Sequence, residues 1–143
     1  MRLLLAYPGN PEIGDKQRGK RRFAGIGLAV IANLTPPEWE VTLIDEEQGE
    51  TIDFDGKYDL VGLSSMTSQA PRAYAIADEL RRRGIPVVHG GSHPTVCAQE
   101  ALEHGDAVVA GEGERAWPQL LRDFTRDHAV PRKVYECRPA NGE

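Results

Sequence analysis

The 143-residue chain has only two cysteines, Cys97 and Cys137, and no Cys-x-x-Cys pair. Cysteine-rich zinc sites and iron–sulfur clusters need closely spaced sulfurs, so redox-cluster chemistry is expected to lie outside this chain. No stretch approaches the roughly eighteen apolar residues that span a bilayer. The apolar start, Leu3-Leu4-Leu5-Ala6, is too short for a signal peptide and reads as a strand. No membrane partner is expected, and the cytoplasm is the expected compartment. Net positive charge is lacking too: the balance is −5, which argues against a nucleic-acid partner. Residues 8–22 contain no serine, threonine or histidine. That absence removes the hydroxyl-rich phosphate loop expected of a flavodoxin after its first strand. No P-loop occurs, and Gly25-Ile26-Gly27 follows a long loop where a dinucleotide fingerprint would follow a strand.

What is present is ordinary for one globular domain: 40% hydrophobic and 27% charged residues. A chain this long buries roughly 68–70% of its unfolded surface, enough for a core without staples. Apolar runs predict strands at 2–7, 39–45, 58–65, 85–89 and 107–110, and helical periodicity falls at 23–34, 71–83, 95–104 and 116–126. Such alternation implies parallel pairing with right-handed crossovers. The expected fold is α/β and doubly wound, a flavodoxin-like five-stranded parallel sheet of order 2-1-3-4-5 with helices on both faces. Residues 1–128 would form the domain, and 129–143 an exit linker or tail. Ligands of such sheets bind beyond the carboxyl ends of the strands, near the switch between strands one and three.

Three strand-end loops carry the chemistry. After strand three, Ser64, Ser65, Met66, Thr67, Ser68 and Gln69 cluster four hydroxyls and an amide, suited to a neutral polar ligand or, in part, to capping the next helix. After strand four comes Gly90-Gly91-Ser92-His93-Pro94-Thr95. Its glycines admit close approach of a ligand or another backbone, and Ser92 or Thr95 can cap a helix whose N–H groups suit a phosphodiester. His93 would brace the turn or contact a polar ligand; with no second ligand at metal spacing, no metal site is expected. After strand five, Gly111, Glu112, Gly113 and Glu114 pair two carboxylates with two glycines. Acids at a helix start complement its dipole, a simpler account than acid–base chemistry. Cys97 is expected in the first turn of a helix as a buried small hydrophobe. Of two basic runs, Arg81-Arg82-Arg83 reads as a solvated helix end, and Lys16–Arg22 stays open as a ligand-facing patch.

Taken together, 59–67, 90–95 and 106–114 resemble the cobalamin (B12)-binding domain at the N-terminus of many B12-dependent radical SAM enzymes. The resemblance implies a site for the nucleotide tail of cobalamin. Ser64, Ser65, Met66 and Thr67 would contact the buried tail; Gly90, Gly91, Ser92, His93 and Thr95 would contact its ribose and phosphate. Gly111, Glu112, Gly113 and Glu114 would flank the tail or the corrin edge. The histidine that binds cobalt in the methionine-synthase and mutase branch has no counterpart in 8–22, so cobalamin would be held base-off without a histidine ligand. S-adenosylmethionine and its iron–sulfur cluster would belong to a radical SAM catalytic domain, in the same longer chain or in trans. This chain alone is then no enzyme but a cofactor module, methyltransferase-like in its affiliation. The competing expectation is a structural or interaction domain that keeps the fold and has lost the cofactor.

Overall fold

A computed structural model describes residues 1–10 and 26–137. Its core is a six-stranded parallel sheet in the order β2-β1-β3-β4-β5-β6. The strands are β1 (Arg2–Tyr7), β2 (Glu40–Asp45), β3 (Leu60–Ser64), β4 (Val87–Gly90), β5 (Ala107–Gly111) and β6 (Lys133–Cys137). The helices are α1 (Ile26–Leu34), α2 (Ala70–Arg82), α3 (Ser92–Val96), α4 (Ala98–Glu103) and α5 (Gly113–Asp127). This is the doubly wound, flavodoxin-like sheet expected from the sequence, with one more strand than the apolar runs revealed.

Leu3, Leu4, Leu5 and Ala6 are buried on both faces of β1, as are Leu60, Val61 and Leu63 of β3. Continuous apolar runs are what a strand covered on both faces requires. Alternate residues feed two cores. Leu3, Leu5, Leu60, Val88 and Val109 pack with Leu28 of α1 and Trp117, Leu120 and Phe124 of α5. Leu4, Ala6, Val61, Leu63 and Val87 pack with Ile76, Ala77 and Leu80 of α2. Tyr74 of α2 stacks on His104, just past α4, at 4.3 Å between ring centroids, so α4 shares the α2 face.

Two departures from the sequence reading have clear causes. Lys133–Cys137, in the stretch read as a tail, pairs in parallel register with β5, Val108 opposite Val134 and Val109 opposite Tyr135. It was hidden because it is a short edge strand with charged residues at both ends of Lys133-Val134-Tyr135-Glu136. Tyr135 is nonetheless buried, and its hydroxyl donates to Asp123 of α5 at 2.7 Å. The helix expected over 95–104 is instead two short helices. Cys97 leaves helical geometry at φ −115°, ψ 50° and divides them. It is half-buried between α3 and α4 and not a fully buried hydrophobe.

Arg81 and Arg82 occupy the last turn of α2, as expected of a solvated helix end. Arg83 there donates to Glu79 and Asp55. The basic run 16–22 lies outside the described residues.

Candidate functional site

At the carboxyl ends of β1, β3, β4 and β5, on the α1/α5 face, the sheet opens into a cleft of about 250 Å³. Its floor is apolar: Leu5, Leu28, Ile31, Val88, Val109 and Trp117. Its walls are largely backbone, because Gly62, Gly90, Gly91, Gly111 and Gly113 all contribute. Gly62 shows why glycine stands inside an otherwise apolar strand. A Cβ there would lie 2.9 Å from Leu5 Cδ2 and 3.8 Å from Trp117 Cη2, filling the space the cleft uses. Trp117 is itself held. Its indole N–H donates to Thr35 Oγ1 at 3.0 Å, and the Thr35 hydroxyl donates to the Ile31 carbonyl at 2.8 Å. Tyr7, at the end of β1, fixes the start of α1 by accepting from the Leu28 amide at 2.8 Å. Helix starts carry amides without intrahelical acceptors, so this bond both satisfies a donor and sets the cleft wall.

Of the expected site residues, Ser64, Gly90, Gly91, Gly111, Glu112, Gly113 and Glu114 line this cleft. Glu112 stands at the N-cap of α5 and Glu114 in its first turn, where carboxylates suit the dipole. Pro118 inside α5 has no N–H, so the Glu114 carbonyl lacks its usual helical donor beside the cleft.

The other six lie outside the cleft lining. Ser65 is buried beneath Gly91: its amide donates to the Gly90 carbonyl at 3.0 Å and its carbonyl accepts from the His93 amide at 3.1 Å. Its hydroxyl finds no partner among the described residues. Met66 is exposed, and its amide is closed by Gln69 Oε1 at 3.0 Å. Thr67 and His93 face each other, Oγ1 to Nδ1, at 3.2 Å. Ser92 is exposed at the first position of α3. Neither Ser92 nor Thr95 caps that helix; Gly91 occupies the N-cap, with no side-chain bond. Thr95 instead staples two loops, its hydroxyl donating to the Gly91 carbonyl at 2.7 Å and accepting from the Gly111 amide at 2.9 Å.

His93 is thus directed to the α2 face. Its Nε2 lies 2.8 Å from Glu100 Oε2 and 3.1 Å from the Tyr74 hydroxyl, which also donates to Glu100 at 2.9 Å. Burial, and then the Glu100 carboxylate, pushes the Tyr74 phenol well above its ordinary range. The imidazole of His93, followed by the Tyr74 hydroxyl, holds the Glu100 carboxyl below its own. Nearby, His89 is fully buried and bonded through Nε2 to the His104 carbonyl at 2.9 Å.

A family model described as "B12 binding domain" matches residues 21–121. The chain belongs to the B12-binding domain family. Among curated relatives of this B12-binding domain is the bacteriochlorophyllide d C-8(2)-methyltransferase of Chlorobaculum tepidum, 40% identical over 118 residues. That match covers 82% of this chain and 26% of the relative. The C-12(1)-methyltransferase of the same organism is 40% identical over 103 residues, 71% of this chain and 22% of that protein. The hopanoid C-2 methylase of Rhodopseudomonas palustris is 31% identical over 108 residues, covering 75% and 20% respectively. The B12-binding domain spans about a quarter of the length of the relatives it matches first. No solved structure matches it.

The residues present suit an aromatic nucleotide tail. A flat base would fit between a floor of aliphatic and indole carbon and walls rich in glycine, with Ser64 among the polar residues of the lining. Of the cleft-lining residues, the sequence reading missed the apolar floor. Gly62, in the middle of an apolar strand, was the signal that could have located it.

Proposed function

We propose that this domain holds cobalamin base-off, its nucleotide tail in the cleft and its corrin across the strand-end rim. It would serve as the cofactor module of a methyl-transferring radical SAM enzyme. The observation that carries the proposal is the coincidence of a glycine-walled, apolar-floored cleft with the strand ends of a chain in the B12-binding family. Ser64, Gly90, Gly91 and Gly113 would hold the tail, and Glu112 and Glu114 would stand beside it at the start of α5. Bound cobalamin would supply a cobalt centre able to carry a methyl group; the protein's part is to seat and orient it. None of the chain's four histidines lines the cleft, and 8–22 contains none, which supports a cobalt without imidazole from this chain. The catalytic part, with S-adenosylmethionine and an iron–sulfur cluster, would lie in another domain, in cis or in trans. The methyltransferase and methylase names of the relatives support that affiliation.

The test is direct. The purified chain is mixed with hydroxocobalamin, freed of excess ligand, and its visible spectrum recorded. A retained base-off spectrum at one cobalamin per chain is expected. A colourless protein would overturn the proposal for this chain and leave the structural or interaction role in its place.

A further inference from the structure

On the α2 face, at the far side of the sheet from the cleft, three ligand-type side chains converge that the cobalamin proposal does not use. We propose that His93, Cys97 and Glu100 form a binding site for one divalent transition-metal ion of the zinc type. One ligand atom from each lies within 4.8 Å of the others. The break at Cys97 lets the chain turn between α3 and α4 while all three stay on one side.

The donor set is a thiolate, an imidazole and a carboxylate, the combination that favours zinc-like ions over magnesium or calcium. The supporting shell is already built. His93 is buried and held at Nδ1 by Thr67 Oγ1, a hydroxyl able to accept from Nδ1–H and so leave Nε2 as the ligand. The Tyr74 hydroxyl, 3.1 Å from Nε2 and 2.9 Å from Glu100 Oε2, can hydrogen-bond the ligating carboxylate or supply a fourth oxygen. Glu100 is exposed and Cys97 half-buried, so an ion can enter from solvent. Binding would put the cation between Nε2 and Glu100 and in place of the thiol proton of Cys97, which passes to solvent. Thiolate and carboxylate then balance its two positive charges. With the ion in place, α3 and α4 would be tied together behind the Gly91 turn, independently of whether cobalamin is bound.

Cobalt(II) is the probe, added to chelator-stripped protein without cobalamin. Expected are one ion per chain, a thiolate-to-cobalt charge-transfer band in the near ultraviolet, and displacement by zinc. Cys97→Ser should abolish that band and weaken binding at least about tenfold, while circular dichroism stays that of the parent. Glu100→Gln should weaken binding and keep the band. No band with the parent protein, or a band that survives Cys97→Ser and so arises at Cys137, overturns the proposal. Neither outcome bears on cobalamin retention, which is read separately.

Discussion

Gly91 lies directly on the backbone of Ser65. A Cβ at position 91 would stand 2.8 Å from both the amide nitrogen and the carbonyl oxygen of Ser65, and φ at Gly91 is +99°. With ψ −172°, that is a region of backbone space essentially reserved for glycine. The strand-three and strand-four loops can therefore close on each other only with glycine here. Gly91→Ala is expected to destabilise the ligand-free domain by about 1–3 kcal/mol through strain alone, and by more where the two loops must part. Urea unfolding of the two proteins measures it. A variant as stable as the parent would show that the loops can separate freely.

Because Gly91→Ala damages the fold, its effect on a ligand would be ambiguous; Gly90 offers the cleaner probe. A Cβ there meets nothing closer than the Val109 carbonyl at 3.8 Å, and Gly90 and Val109 both line the cleft. Gly90→Val should leave the unfolding transition close to that of the parent and reduce cobalamin retention by about tenfold or more, the effect of crowding a fitted pocket by 1–3 kcal/mol. Gel filtration followed by the visible spectrum reads the retention. Full retention in a folded variant would place the tail away from β4.

Much of this architecture was legible because burial on both faces writes itself as uninterrupted apolar runs, as in Leu3–Ala6 and Leu60–Leu63. The loops were legible as punctuation, since Gly90-Gly91 and Gly111-Glu112-Gly113 stand where a strand must turn into a helix. The direction of His93 was not. It depends on the unusual backbone of Gly91, which turns the next residues toward α2 and away from the cleft. The break at Cys97 was equally hidden, because Ala98 and Ala101 continue an apolar periodicity through it. Trp117 was read only as part of a helix; its place in the cleft floor comes from tertiary packing of α5 against β3, which no local pattern encodes.

Ser65 carries a second expectation. Its side-chain oxygen is buried, with the residue only 2% exposed, and has no hydrogen-bond partner among the described residues. A buried hydroxyl without a partner has lost its hydration and gained nothing in return. Ser65→Ala should therefore raise the stability of the ligand-free domain by roughly 1 kcal/mol. Thermal denaturation of the two proteins in the same buffer is sufficient. A clear loss of stability in the variant would mean that the hydroxyl is bonded in solution.

His89 makes the stability of the domain depend on pH in a defined direction. The ring is fully buried, and desolvation, the largest influence, holds its pKa below the ordinary value of 6.5. Its Nε2 donates to the His104 carbonyl at 2.9 Å, and Nδ1 is buried without a partner among the described residues, so the neutral ring is the form that fits. Above the unfolded-state pKa, near 6.5, both states carry a neutral ring and the full stability is present. As pH falls below that value the unfolded chain takes up a proton that the folded ring refuses. Stability then drops at up to about 1.4 kcal/mol per pH unit until the folded pKa is reached. Urea unfolding at steps from pH 8 to about 5 should show this slope. His89→Met, close in volume and unable to titrate, should remove the part of the slope that belongs to this ring, whatever its effect on stability at neutral pH. An unchanged slope in that variant would assign the pH dependence to other groups.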